Sequence, residues 1–313
     1  MGGYAARRLL LALPTLLGLS LLVFLLGSLA GDPSDELAAR SDPEAGVTAE
    51  QVAAIRHDLG LDRPLPVRYG RWLGRAVRGD LGTSLFTNRG VGGQIADAFP
   101  TTLVLAVAAL VLIVLLAVPM GVAGALFHRH WQDQAIRALA LTGASAPGFF
   151  LAYVLVHVFA VRLRLLPVAG LSGARSVVLP AFTLAVGPAA MVSRLLRASL
   201  LEVVGEDYIR TARGKGLAAV PVLVNHAVRN AALPVLTVVG SVFGRMIEGA
   251  VVIEVVFSRP GIGQLTYNAV RSYDYPVVVG TVVFGGAMFM LVNLLVDLSY
   301  GLVDPRVRLG RAR

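Results

Sequence analysis

The residues of this 313-residue chain that could do chemistry fall into three groups. The first is catalytic in type. Gly143-Ala144-Ser145-Ala146 sets a serine in an apolar run, where an intramembrane protease would hold its nucleophile. A base must then lie within hydrogen-bond reach. His157 follows twelve residues along the same apolar block, which on one helix is about 18 Å away. His128 and His130 flank Arg129, but two histidines without a third ligand read as solvated side chains rather than a metal site. The chain has no cysteine, no GxxxxGK[ST] phosphate loop and no HExxH. No catalytic constellation remains, so the chain is expected not to be an enzyme and to hold no cofactor.

The second group is charge inside apolar sequence: Arg245, Glu248, Glu254 and Asp297, with Asn293 one turn before Asp297. Ionisable groups are costly in lipid and usually face a cavity or a partner. Arg245 and Glu248, at i and i+3, pair with each other on the structural reading. On the functional reading Arg245, Glu248, Glu254, Asn293 and Asp297 line an aqueous translocation path and meet a charged or zwitterionic solute. The third group is the polar, Arg-rich stretch Glu206–Pro234, EDYIRTARGKGLAAVPVLVNHAVRNAALP, set between two strongly apolar segments. Its plain reading is a basic juxtamembrane loop on anionic lipid. Its functional reading is a docking element for another protein.

These groups are positioned by a chain that is 56% hydrophobic and 15% charged, too apolar for a soluble domain. The apolar residues form blocks of about 20, the length that crosses a bilayer core. They run over 9–29, 101–126, 138–160, 177–196, 235–257 and 276–300. In hydrocarbon such blocks must be helices, because every backbone polar group needs an internal partner. The expected fold is therefore an all-α membrane protein with six transmembrane helices. Arg7 and Arg8 before an apolar run ending Ser28-Leu29-Ala30 have the form of a secretory signal. The run exceeds a signal core of about 7–15 residues, so an uncleaved first helix is expected.

Sidedness follows from arginine and lysine. With both termini in the cytoplasm, the cytoplasmic pieces 1–8, 127–137, 193–233 and 301–313 hold fourteen basic residues against five acids. The external segment 31–99 carries eight arginines and ten acids. Arg162, Arg164 and Arg175 fall in a short external loop against this trend, but the reverse orientation would expose the strongest basic cluster. The sequence pI of 10.6 reflects these membrane-flanking residues, and no nucleic-acid partner is implied. The expected division is a first helix (1–30), an extracytoplasmic helical segment (31–99), a five-helix core (100–300) with a cytoplasmic loop at 198–233, and a cytoplasmic tail (301–313).

Within 31–99, Thr48-Ala49-Glu50-Gln51 fits a capping box for a helix ending near Asp58 and stopped by Gly60. Pro64–Arg78 reads as a second, amphipathic helix. Pro147 and Pro188 are expected to interrupt the third and fourth spans. Gly240 and Gly244 form a GxxxG that permits close helix approach.

EDYIRTARGKGL followed by HAVRNAALP resembles the cytoplasmic loop of binding-protein-dependent ABC importer permeases, in particular the first permease subunit of the dipeptide/oligopeptide group. ARRLLLALPTLLGLSLLVFLL, GLDRPLPVRYGRWLGRAVRGDLGTSL, VVIEVVFSRPGIGQLTYNAVRSYDYPVVVG and NLLVDLSYGLVDPRVR resemble the same family in the same order, over nearly the whole chain. The resemblance implies a type I importer permease fold and a short coupling helix in a cleft of an ATPase subunit. The matching positions are Glu206, Asp207, Tyr208, Arg210, Thr211, Ala212, Arg213, Lys215, Gly216 and Leu217. Tyr208, Ile209, Ala212 and Leu217 would form the inserted apolar side, Arg210, Arg213 and Lys215 would meet acids, and Gly216 would end the helix. Gly214 stands where the family more often has alanine, which loosens the helix by up to about 1 kcal/mol. The implied partners are a second permease in a heterodimer, two cytoplasmic ATPase subunits that use the ATP, an extracytoplasmic solute-binding protein and membrane lipid. The implied cargo is short peptides, with nickel complexes or glutathione as alternatives. A secondary transporter working alone would show inverted repeats; none is evident.

Overall fold

The computed structural model describes residues 2–29, 33–34, 37–38, 48–170, 173–214 and 228–303. Its elements are α1 (Gly2–Leu29), α2 (Ala49–Asp58), α3 (Leu65–Ala76), α4 (Val91–Leu126), α5 (Trp131–Ser145), α6 (Gly148–Leu155, continued by the π-helical Val156–Arg162), α7 (Arg175–Val204), α8 (Asp207–Gly214), α9 (Val228–Gly249), α10 (Val251–Val256), α11 (Ile262–Arg271) and α12 (Tyr275–Val303). Each of the six expected apolar blocks falls on one of these helices or on an adjoining pair. Helices α4, α7 and α12 are long and apolar enough to cross a bilayer. The α5–α6 pair is apolar enough for a fourth crossing but is bent by 102° at its break, the form of a broken span or a re-entrant loop. Leu13–Leu29 of α1 and Pro234–Ile247 of α9 are shorter apolar helices. The chain is an all-α membrane protein.

The two expected proline breaks have different outcomes. Pro147 forces Ala146 into extended backbone (φ −71°, ψ 124°), and the helix bends there. Pro188 breaks nothing: α7 runs unbroken through both Pro180 and Pro188. Around Pro188, Ala185, Ala189, Ala190 and Val192 are buried against neighbouring helices, and the helix continues. Around Pro147, Ser145, Gly148, Phe149 and Phe150 are exposed, and no such packing resists the bend. The fifth block is also shorter than expected. α9 closes at Gly249, Ala250 leaves the helix (φ −82°, ψ 56°), and α10 starts anew. That break lets Glu254 turn into protein rather than toward lipid.

Small residues make the packing close. Ala106, Ala109 and Ala117 of α4 are fully buried alongside Ile113, and Ala181, Ala185 and Ala189 of α7 nearly so. A Cβ on Gly121 would stand 3.0 Å from Leu196, and one on Gly124 3.0 Å from the Arg197 stem. In α9, Gly240 abuts Val296 and Gly244 abuts Phe289 of α12. The GxxxG spacing thus serves an internal seam. α1 lies on α12, with Gly27 against Tyr275 and Gly286 against Leu19.

The segment before α4 folds as its local chemistry dictates. The Gln51 N–H donates to Thr48 Oγ1 (3.3 Å), and the Thr48 N–H donates to Gln51 Oε1 (3.1 Å), completing the capping box. Gly60 follows α2 with φ +64°. α3 is seated on α1 through Tyr69, whose ring is 5.5 Å from that of Phe24.

Gly240→Leu should collide with Val296 and cost about 1–3 kcal/mol by overpacking. Gly18→Leu meets open space at its Cβ and should be neutral. Thermal unfolding in detergent separates the two; equal midpoints would contradict the α9–α12 seam.

Candidate functional site

The coupling-type element is a helix, α8, mounted at the end of the bundle where α7 finishes. Asp207 lies in its first turn, where a carboxylate complements the free N–H groups. Glu206, Asp207 and Tyr208 are exposed. Ile209 corrects the expectation that it belongs to an outward apolar side: it is 0% exposed and joins the main core with Leu196 and Leu200 of α7. Arg210, Thr211, Ala212 and Arg213 lie on α8, which is described to Gly214; Lys215, Gly216 and Leu217 lie outside the described residues.

Two turns before the end of α7 the structure brings together residues that the sequence does not connect. The Arg197 guanidinium of α7 grips the Asp133 carboxylate of α5 with two bonds, Nε to Oδ1 (2.7 Å) and Nη2 to Oδ2 (2.6 Å). The Asp133 side chain is 2% exposed and that of Arg197 is 17% exposed. Arg137 adds a second cation 3.7 Å away. Arg197 Nη2 also donates to His128 Nδ1 (3.0 Å). With the Arg197 stem on Gly124 of α4, the fork ties α4, α5 and α7 at one level. Sequence reading counted Asp133 and Arg197 only as sidedness charges; their 64-residue separation gave no local signal. His128 is solvent-exposed, as expected, and also neighbours the ion pair.

Of the charges proposed for a translocation path, Glu254 has its surroundings fully described. Glu254 is 0% exposed. Its Oε1 accepts from the Thr102 hydroxyl (2.6 Å), and its Oε2 accepts from the Gln264 N–H (3.1 Å). Thr102 Oγ1 in turn accepts from the Ile262 N–H (2.8 Å). Ile262 and Gln264 open α11, whose N-cap Gly261 offers no side-chain bond. Glu254 and Thr102 therefore cap α11 from two other helices, supplying acceptors for its first-turn N–H groups. Any Cβ on Gly261 would strike the Glu254 carboxylate. A carboxylate enclosed in this way cannot line a passage in this conformation, so the path role for Glu254 is replaced by a capping role. Asn293 is half-buried and shares a helix face with Phe289 and Val296, which meet α9. Arg245 is exposed on α9, three residues from Glu248 on the same helix; Asp297 lies on α12.

Two further buried charged groups carry no signal in the sequence. Arg259 is 3% exposed, and its Nη1 donates to Ser176 O (3.3 Å) and Gly170 O (3.4 Å). Asp274, 4% exposed, accepts from the Ser84 hydroxyl and from the Leu85 N–H (3.1 Å). It pins the loop before α4 to the α11–α12 junction. Ser145 and His157 make no hydrogen bond to each other among the described residues; His157 stacks on Tyr153 (6.1 Å). No group of three metal-ligating side chains occurs among the described residues.

Residues 117–309 match the family model described as the binding-protein-dependent transport system inner membrane component, and residues 1–106 match the N-terminal model of the same membrane component. The chain belongs to this permease family. It is a multi-pass inner-membrane transport component and not an enzyme. It is 42% identical over 97% of its length to a putative peptide permease of Brucella ovis, of which 98% is covered. It is 39% identical to a glutathione transport system permease of Salmonella paratyphi A, over 98% of this chain and 99% of that one. It is 38% identical to a probable peptide ABC transporter permease of Sinorhizobium fredii, over 98% and 100%.

Thr102→Val leaves the Ile262 N–H and a Glu254 oxygen without partners in this permease, and Glu254→Ala removes the carboxylate that Thr102 and Gln264 share. Each should destabilise by about 1–3 kcal/mol, read as a lower unfolding midpoint, with Glu254→Gln retaining part of the stability. An unchanged midpoint together with altered solute selectivity would restore Glu254 to the passage.

Proposed function

We propose that this permease is one of two non-identical membrane subunits of an ATP-driven importer of short peptides. It pairs with a second permease subunit and with two cytoplasmic ATPase subunits, and receives solute from an extracytoplasmic binding protein. ATP is consumed by the ATPase subunits. Both termini, the 127–137 connection and the 198–233 loop face the cytoplasm, and residues 31–99 face outward. The relatives named peptide permeases support the peptide class, and glutathione, the cargo in another relative's name, is itself a short peptide.

The observation that carries the docking role is Ile209. A helix resting on lipid turns its largest aliphatic side chain toward the acyl region. α8 does the reverse: Ile209 is buried in the bundle and Glu206, Asp207 and Tyr208 face out. Such a helix is anchored to α7 and offers a polar surface to a protein. Displacing it moves α7, and the Asp133–Arg197 fork passes that movement to α5. ATP then acts as a ligand that favours one of two bundle states, and hydrolysis returns the other. Glu206, Asp207, Tyr208, Arg210, Thr211, Ala212, Arg213, Lys215, Gly216 and Leu217 form the docking element. Arg245, Glu248, Asn293 and Asp297 are the remaining candidates for the solute's route.

Reconstituted with its partners, the complex should hydrolyse ATP faster when peptide-loaded binding protein is added. Arg213→Glu combined with Gly216→Pro should abolish uptake by releasing the ATPase; uptake that persists with the ATPase bound would refute the docking role. Asp133→Ala leaves Arg197 partly buried and unpaired. It should cost about 3 kcal/mol of stability and lower uptake per ATP, and Asp133→Arg with Arg197→Asp should recover part of both. Coupling that survives the single change would remove the fork from the relay.

A further inference from the structure

The external face carries a basic feature that import does not use. Between Leu65 and Gly79 there are four arginines and no acid. Arg68, Arg71, Arg75 and Arg78 recur at three- and four-residue steps, which aligns them along one side of α3 and its continuation. The rest of the 31–99 segment is acidic, so this row departs from the charge balance around it.

The row borders a cleft of about 650 Å³ between α1, α3 and the start of α12. Phe24, Trp72 and Val279 supply apolar lining, and Arg71, Arg75 and Arg78 supply charge. Gly70 and Gly74 alternate with these arginines, and a Cβ on either would meet open space. None of the described residues lining the cleft is acidic. Among the described residues no carboxylate pairs with Arg71, Arg75 or Arg78.

Depth identifies the occupant. The Tyr69 hydroxyl of α3 lies 2.9 Å from Ser20 Oγ and reaches the Leu17 carbonyl at 3.3 Å. Phe24 and Ser28, which line the cleft, stand five residues and one residue before the end of α1 at Leu29, within about 8 Å of it along the axis. The cleft therefore lies at the rim of the apolar helix α1, where aromatic and basic side chains meet headgroups. A soluble protein would not reach an apolar floor at that depth, whereas a lipid places its phosphate and upper acyl chain there together. Among the described residues a zwitterionic headgroup would find no carboxylate for its cation.

We propose that this cleft binds an anionic membrane phospholipid, with the phosphate on Arg71, Arg75 and Arg78 and the upper acyl chain on Phe24, Trp72 and Val279. The inference rests on membrane insertion alone, so it stands or falls independently of the cargo and of the ATPase docking.

Native mass spectrometry of the purified full-length permease, titrated with phosphatidylglycerol or phosphatidylcholine, tests it. Phosphatidylglycerol should be retained and phosphatidylcholine should not. Arg71→Gln, Arg75→Gln and Arg78→Gln together should weaken retention roughly a hundred-fold, at about a factor of five for each basic residue near an anionic surface. Gly74→Phe, which fills the cleft and keeps every charge, should weaken it as well, while the triple lysine variant should keep most of it. Equal retention of the two lipids, or undiminished retention by the triple glutamine variant, overturns the proposal. So does displacement by millimolar inorganic phosphate, which would make the site one for a free anion. Retention that rises several-fold on neutralising Asp42 and Glu44 would assign the arginines to the chain's own acidic stretch. A loss of binding-protein stimulation in phosphatidylcholine vesicles caused by the triple glutamine variant would assign them to that protein.

Discussion

A helix that starts away from water must find acceptors for its first N–H groups, and α11 depends on that constraint being met. Its N-cap is Gly261, which brings no side chain. The acceptors come from Glu254 on α10 and Thr102 on α4, so one carboxylate and one hydroxyl join three helices. The rest of that end of the bundle follows. Gly261 and Gly263 must lack Cβ atoms because the Glu254 carboxylate and the Val251 backbone stand against them. α9 must end at Gly249 so that α10 can turn Glu254 inward. Ile262, Ala269 and Val277 then close a second small core with Val91 and Ile95 of α4.

The opposite end is organised by a different interaction with a similar logic. There the Arg197 fork on Asp133 joins helices through charge rather than through a cap. A buried pair of this kind gains little net stability against an apolar replacement, but losing one member leaves a costly orphan. Such a pair is better suited to fixing relative position than to adding stability. It joins α4, α5 and α7 at one level near the end of α7, so on the docking proposal a force applied at α8 would reach all three. Between the two ends, the α4–α7 and α9–α12 seams rely on alanine and glycine, so the helices approach closely. The bend at Ala146-Pro147 is the exception, where exposed neighbours leave the chain least constrained.

How much of this was legible in the sequence depended on the range of the interaction. The apolar blocks announced the spans because their length is set by the bilayer, and the Thr48 capping box announced α2 because every partner lies within three residues. The amphipathic stretch Pro64–Arg78 contains α3. Pro147 and Pro188 look alike in sequence, yet only one breaks its helix, because the outcome is decided by packing from other helices. Ile209 looked like one of a set of outward apolar residues. Its burial depends on where α7 ends. Glu254 looked like an isolated charge in a span, since its partner Thr102 lies 152 residues away.

These two ends bear on what a permease of this kind must do. A passage that opens alternately to each side needs parts that move as units and few places where they flex. Trans-capping by Glu254 makes α10, α11 and the start of α4 one unit, and Asp274 adds the loop before α4 to it. The Asp133–Arg197 fork makes a second unit near the end of α7. α4 and α7 run from one unit to the other, so on the docking proposal a displacement at α8 would be carried along closely packed helices. On this view the buried charges are the joints of the machine, and the solute's route is to be sought among side chains left on the bundle's own surface, such as Arg245, where a second permease would complete the wall.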